Sequence, residues 1–128
     1  MGVVIVKITV VGAGAMGSLV AARLTSSMNS QAANTNPEWN LDDVLLYGRA
    51  SEHLETIRKH GLELTERDGQ INNVKLHVSA DPADVQGSDV VIVLTKAWAT
   101  GEACAPLAPY LERQTIVLTL QNGLGNAN

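Results

Sequence analysis

Two stretches of the chain are apolar almost without interruption, Val3 to Val11 and Val90 to Leu94. Continuous runs of this kind, rich in β-branched residues, are the pattern of parallel strands buried on both faces. Past the first run the period changes. Leu19, Val20 and Leu24 alternate with the small residues Ala15, Gly17, Ala21 and Ala22, which predicts a helix from about Gly14 to Ser26 seated closely on a sheet. Ser27 to Asn40 is rich in Ser, Asn, Gln and Thr and reads as a long polar loop, with Trp39 assigned to packing at its end. Asp43 to Tyr47 is the second strand, closed by Gly48-Arg49. Ser51 suits the cap of a second helix, Glu52 to His60, which Gly61 ends.

Further along, Leu62 to Glu66 and Ile71 to Val78 alternate in polarity around Asp68-Gly69. That is a hairpin signal, and one of its strands is expected to join the main sheet. Asp81-Pro82 opens a short helical turn. Asp89 to Thr95 is the next buried strand, Ala99 to Arg113 a helix interrupted by Pro106 and Pro109, and Thr115 to Leu120 the last strand. This alternation predicts an α/β fold, a Rossmann-type doubly wound, mostly parallel sheet in three α/β/α layers. Ligands of such sheets bind beyond the carboxyl ends of the strands. Four segments should converge there: Gly12 to Gly17, Gly48-Arg49, Thr95-Lys96 and Gln121-Asn122.

The first of these, Gly12-Ala13-Gly14-Ala15-Met16-Gly17, has the spacing of a dinucleotide-binding fingerprint, with a strand before it and a helix after it. The first glycine permits a tight turn, the second lets a diphosphate approach the backbone, and the third allows helix and sheet to pack closely. The unpaired N–H groups and the dipole of the helix start favour an anion there. An NAD-binding unit usually carries a carboxylate at the end of its second strand, about 20 residues past the motif, to bind the ribose hydroxyls. Here that place holds Tyr47-Gly48-Arg49, displaced by the polar loop. A carboxylate repels a 2′-phosphate, whereas a guanidinium offers it a planar fork of donors. NADP(H) is therefore the expected cofactor.

Composition narrows the partners. The 128 residues carry a formal charge of −4, so no basic stripe is left for nucleic acid. One local cation suffices for one phosphate. Cys104 has no partner for a disulfide, and no Cys/His cluster has metal-ligand spacing, so no metal is expected. The apolar start has only Lys7 as a charge and leads straight into the glycine motif, which reads as a strand and not as a signal peptide. No segment has the length of a membrane span. A cytoplasmic protein is the expectation. His53, His60, His77, Trp98 and Tyr110 are assigned to surface or packing positions.

The glycine motif, Tyr47-Gly48-Arg49, Thr95-Lys96-Ala97-Trp98 and Gln121-Asn122-Gly123-Leu124-Gly125 together resemble the ketopantoate reductase (2-dehydropantoate 2-reductase) family, over nearly all of the chain except Ser27 to Asn40. The resemblance implies that Gly12, Ala13, Gly14, Ala15, Met16 and Gly17 hold the cofactor's diphosphate and Arg49 its 2′-phosphate. It places Lys96 near the ribose and nicotinamide, and Asn122 on both cofactor and substrate. Elementary chemistry is consistent with this. A lysine ending a buried strand must reach a polar crevice, and an amide side chain offers donor and acceptor together.

The resemblance further implies reduction of ketopantoate to pantoate with NADPH, for pantothenate and coenzyme A synthesis. In that family the proton donor and a substrate-binding glutamate come from a helical C-terminal domain. No residue of this chain is assigned as catalytic, and residues 1–128 are expected to be a truncated NADP-binding domain, nearly inactive alone. The alternatives are a reductase of another branched 2-oxoacid and a non-catalytic module that senses NADPH. The strand Thr115 to Leu120 is expected to border the sheet, where pairing with a second copy would make a homo-oligomer.

Overall fold

The computed structural model describes residues 4–31, 39–94 and 104–119. Its elements are β1 (Val4–Val11), α1 (Ala15–Gln31), β2 (Trp39–Tyr47), α2 (Glu52–His60), β3 (Leu62–Thr65), β4 (Ile71–Val74), β5 (His77–Ser79), β6 (Val90–Val93) and β7 (Ile116–Thr119). Two 3-10 turns, Pro82–Val85 and Ala105–Tyr110, complete the described chain. Five strands form one parallel sheet in the order β5-β2-β1-β6-β7. The order reverses between β1 and β6, which is the Rossmann-like, doubly wound arrangement expected from the alternation of elements.

Side-chain alternation along the strands divides the core in two. Val10, Val44, Leu46 and Val78 face a cluster completed by Ala21 and Ala22 of α1, Leu54 and Ile57 of α2, and Leu64 and Val74 of the β3–β4 hairpin. Val11, Leu45, Val91 and Val93 face the other way, against Val85 and Leu107 of the 3-10 turns. Each fully buried Val or Leu in these layers contributes about 1.5–3 kcal/mol. The two alanines let α1 sit tightly over β1 and β2. Among the described residues the second outer layer is made of 3-10 turns alone.

Several boundaries differ from those read in the sequence, for identifiable reasons. The first helix does not stop at Ser26 but continues to Gln31, and β2 starts at Trp39, so the polar segment 27–40 is not a loop throughout. Helical hydrogen bonding, once nucleated, carries polar residues at little cost. The expected hairpin strand Ile71 to Val78 divides in two: Ile71–Val74 pairs with β3 apart from the main sheet, and only its end joins that sheet, as part of β5. Burial keeps its period of two through Val74, Leu76 and Val78, but the pairing partner changes at Lys75–Leu76, and His77–Ser79 alone pairs with β2. The helix expected over Ala99 to Arg113 is, in its described part, a 3-10 segment containing Pro106 and Pro109, and Leu111 leaves it extended. Prolines remove helix donors and clash with the preceding turn. Among the described strands β7 lies at the edge of the sheet as expected, yet Ile116, Val117 and Leu118 are all exposed.

The second helix follows the sequence reading closely. The Ser51 hydroxyl accepts from the Leu54 N–H at 3.1 Å, and the Gly61 N–H donates to the Ile57 carbonyl at 2.8 Å. Asp81 caps the Pro82–Val85 turn by accepting from the Ala83 N–H at 3.0 Å.

Candidate cofactor site

The strand ends fall on one line. Register pairs Ser79 with Tyr47, Tyr47 with Val11, Val11 with Val93, and Val93 with Thr119, so five parallel strands terminate along a single edge. At the middle of that row the chain leaves β1 through Gly12, whose φ of +113° disfavours any residue with a Cβ. The Gly12 N–H donates to the Tyr47 carbonyl at 2.9 Å, and the Leu94 N–H donates to the Val11 carbonyl at 2.9 Å. The turn is thus tied to the neighbours on both sides.

The other two glycines of the motif meet opposite surroundings. A methyl group at Gly17 would lie 1.7 Å from the Gly12 carbonyl oxygen, so the start of α1 touches the turn with no space between. A methyl at Gly14 would meet nothing within 4 Å. The Ser18 N–H donates to the Gly14 carbonyl at 2.9 Å and its hydroxyl to the Ala13 carbonyl at 3.1 Å, closing the loop onto the first turn of the helix. No acidic residue occupies that turn. Its first N–H groups have no intrahelical acceptors, and the helix dipole adds about half a positive charge. The arrangement is a positively polarised backbone beside an open position, and it fits a diphosphate.

Next to it, β2 ends in Tyr47, and the Gly48 N–H donates to the Ser79 carbonyl at 3.0 Å. Gly48 is buried against Ala13, while Arg49 is exposed and forms no ion pair with any described residue. Acidic groups stand nearby in the sequence: Glu52 and Glu55 occupy the first turn of α2, and Glu55 pairs with Arg58 at 3.4 Å. The Tyr47 phenol is half-buried, and burial, reinforced by the charge of Asp81, raises its pKa above the ordinary phenol value.

Of the residues singled out in the sequence, the structure gathers Gly12, Ala13, Gly14, Ala15, Met16, Gly17 and Arg49 at this edge. Lys96, Trp98 and Asn122 lie outside the described residues. Lys96 follows the last residue of β6 by three positions in the sequence, and Asn122 follows the last of β7 by three. His53, His60 and His77 are exposed, the last with Nδ1 3.2 Å from Asp43 Oδ1. Cys104 packs against the second core cluster, and burial raises the pKa of its thiol. No group of three potential metal ligands occurs among the described residues, and no described helix is long and apolar enough to cross a membrane. An open hollow of about 550 Å³ beside β5, lined by Arg58, Ser79, Asp81 and Asp84 among others, contains none of the residues singled out. The sequence reading missed the part played by Gly48. The sequence placed Gly48-Arg49 among the segments converging on the site, but it carried no signal for a contact between Gly48 and Ala13.

Comparison with known proteins agrees with this geometry. Residues 8–128 match the family described as ketopantoate reductase PanE/ApbA. A 2-dehydropantoate 2-reductase of Halobacterium salinarum is 35% identical over 121 residues, covering 94% of this chain and 35% of the relative. The crystal structure of a PanE/ApbA family ketopantoate reductase from Ralstonia eutropha superposes with a TM-score of 0.69 at 32% identity, over 94% of this chain and 36% of that one. A D-mandelate dehydrogenase solved with NADH and anilino(oxo)acetate gives 0.68 at 29% identity, over 94% and 35%. The chain spans about a third of the length of the proteins it matches.

Proposed function

This chain belongs to the ketopantoate reductase family PanE/ApbA, a family of oxidoreductases, and we propose that it forms the NADPH-binding half of a 2-oxoacid reductase acting on 2-dehydropantoate. The observation that carries the reading is the contrast between Gly14, open to the crevice, and Gly17, closed onto Gly12, at a helix start beside an exposed arginine. Gly12 makes the turn, with its own N–H held by Tyr47, and free backbone N–H groups between Ala13 and Gly17, through Gly14, Ala15 and Met16, bind the cofactor's diphosphate. Arg49 binds the 2′-phosphate through its fork of donors. Lys96 hydrogen-bonds toward the ribose and nicotinamide end, and Asn122 contacts both cofactor and substrate. When bound, the reduced nicotinamide supplies a hydride to the carbonyl carbon of the 2-oxoacid. No residue of this chain is assigned as the proton donor for the resulting alkoxide.

Arg49→Ala tests the assignment by titration of this chain with NADPH and with NADH. Loss of a charge-assisted contact worth about 1.5–3 kcal/mol should weaken NADPH by roughly tenfold or more. NADH, which has no 2′-phosphate, should change little. Equal loss of both would refute the 2′-phosphate contact.

A second reading keeps the chemistry and changes the substrate. It is favoured by the similarity to a D-mandelate dehydrogenase holding anilino(oxo)acetate. Titration of the chain with 2-dehydropantoate and with an aromatic 2-oxoacid in the presence of NADPH, followed by NMR, separates the two. Self-association belongs to the same proposal: β7 pairs only with β6 among the described residues and exposes Ile116, Val117 and Leu118. Unpaired edge groups beside apolar side chains favour pairing with a second copy. Light scattering that gives the monomer mass over a wide concentration range would dismiss it.

A further inference from the structure

Gly48 has a conformation open to any residue, since its φ is not among the positive values, and it is nevertheless a glycine. What excludes a side chain is space. A methyl at Gly48 would lie 2.7 Å from the Ala13 Cβ and 3.5 Å from the Ala13 nitrogen. Ordinary carbon contacts are about 3.5–4.0 Å, so roughly 1 Å of movement would be forced. Neither partner can yield by rotating a side chain. An alanine Cβ is fixed to its backbone, and both backbones are pinned. Gly12 N–H is bonded to the Tyr47 carbonyl, Gly48 N–H to the Ser79 carbonyl, and the Ser18 hydroxyl to the Ala13 carbonyl. The displacement must therefore appear between the glycine loop and Arg49.

That separation has a chemical meaning if Arg49 takes a 2′-phosphate, the reading on which this inference rests. A nucleotide with both a 5′ phosphate chain and a 2′-phosphate carries them on one ribose, so their distance is covalently limited. The two anion-binding backbones must match it. We propose that the direct contact of Gly48 with Ala13 sets the spacing between the diphosphate loop and Arg49. Gly48 is thereby a positioning residue for nucleotides that carry both phosphates. A ligand with one phosphate uses one half of the site and is indifferent to the spacing.

The test uses this chain, the variants Gly48→Ala, Ala13→Gly and the double variant, and three probes: 2′,5′-ADP, 5′-ADP and 2′-AMP. Affinities come from calorimetric or NMR titration, with far-UV circular dichroism and melting to establish folding. Misplacement by about 1 Å can cost up to about a hundredfold. Gly48→Ala should weaken 2′,5′-ADP by about tenfold or more and the two single-ended probes by less than about threefold. In the Ala13→Gly background, where the obstructing methyl is gone, Gly48→Ala should cost the bisphosphate less than about threefold. That second comparison remains decisive if Gly48→Ala alone fails to fold. Equal losses on all three probes, or no relief in the Ala13→Gly background, would overturn the proposal. Arg49→Ala distinguishes the failures: if it leaves 2′-AMP and 2′,5′-ADP unaffected, the 2′-phosphate reading itself is wrong and the spacing argument falls with it.

Discussion

Alanine at Gly14 and alanine at Gly17 are the same chemical change, three residues apart, with opposite expected consequences. At Gly17 the added carbon would lie 1.7 Å from the Gly12 carbonyl oxygen. Carbon–oxygen contacts do not normally fall below about 3.3 Å, so α1 must withdraw by roughly 1.5 Å. Overpacking typically costs about 1–3 kcal/mol. The obstacle here is a main-chain carbonyl in a turn held by the Gly12–Tyr47 hydrogen bond, which points to the upper end, about 3 kcal/mol or more. For a chain of this size that corresponds to a fall in Tm of roughly 10–15 °C. Gly14→Ala meets nothing within 4 Å, so its stability should stay within about 1 kcal/mol, with a stabilising sign from the restricted unfolded chain. Its effect should appear on ligand binding instead.

Melting with and without NADPH reads both consequences. Ligand at one hundred times Kd stabilises by about 2.7 kcal/mol, and a tenfold weaker Kd reduces this to roughly 1.4 kcal/mol. Gly14→Ala should keep the unliganded Tm and lose about half or more of the NADPH-induced rise. Gly17→Ala should lose the unliganded Tm itself. If Gly14→Ala retains the full rise, the diphosphate does not lie against that position. If Gly17→Ala melts within a degree or two of the parent, the helix is not seated on the turn as described.

Other consequences are simpler to check. Ser51→Ala removes the acceptor for the Leu54 N–H and should lower stability by about 1 kcal/mol in thermal or urea melts. Leu45→Ala hollows the layer between the sheet and the 3-10 turns and should cost about 2–5 kcal/mol by the same measurement. The Tyr47 phenol has its pKa raised by burial and by Asp81, so the fold favours its neutral form. Its stabilising effect is complete below the ordinary phenol value and is lost as pH rises through the raised one. Tyr47→Phe should therefore flatten the decline of stability above about pH 10, and an unchanged decline would show that the phenol does not contribute.

The parts of the fold legible in the sequence were those in which local chemistry and tertiary packing agree. β1 and β6 are continuous apolar runs and lie in the sheet centre, and Ser51 and Gly61 bound α2 as capping chemistry requires. The misreadings fall where tertiary context decides. The mostly polar stretch Ser27 to Gln31 extends a helix nucleated by the apolar turns before it. One uninterrupted alternation from Val74 to Val78 serves two sheets, because periodicity specifies which face is buried but not which strand is the partner. Within the candidate site, the turn at Gly12 and the close seating of Gly17 were readable because each demands glycine. The contact of Gly48 with Ala13 was not, because it joins two loops that are remote in sequence.

The open position at Gly14 follows from topology more than from glycine. From β1 the chain crosses to β2 and then β5 through elements packed on one face, whereas β6 and β7 are served from the other. The covering layers therefore part above β1, and the β1–α1 loop emerges where they do. Any residue at position 14 would face that crevice; glycine is the one that leaves its backbone approachable. Gly17 and Gly48 act differently, since each is small so that another part of the loop can touch it. Gly17 holds the helix dipole against the turn, and Gly48 holds the cation-bearing strand end against the same loop. The two contacts bring a helix start and an arginine to one edge of the sheet, and with Gly14 left open between them, that edge is suited to an anionic ligand with charge at more than one point.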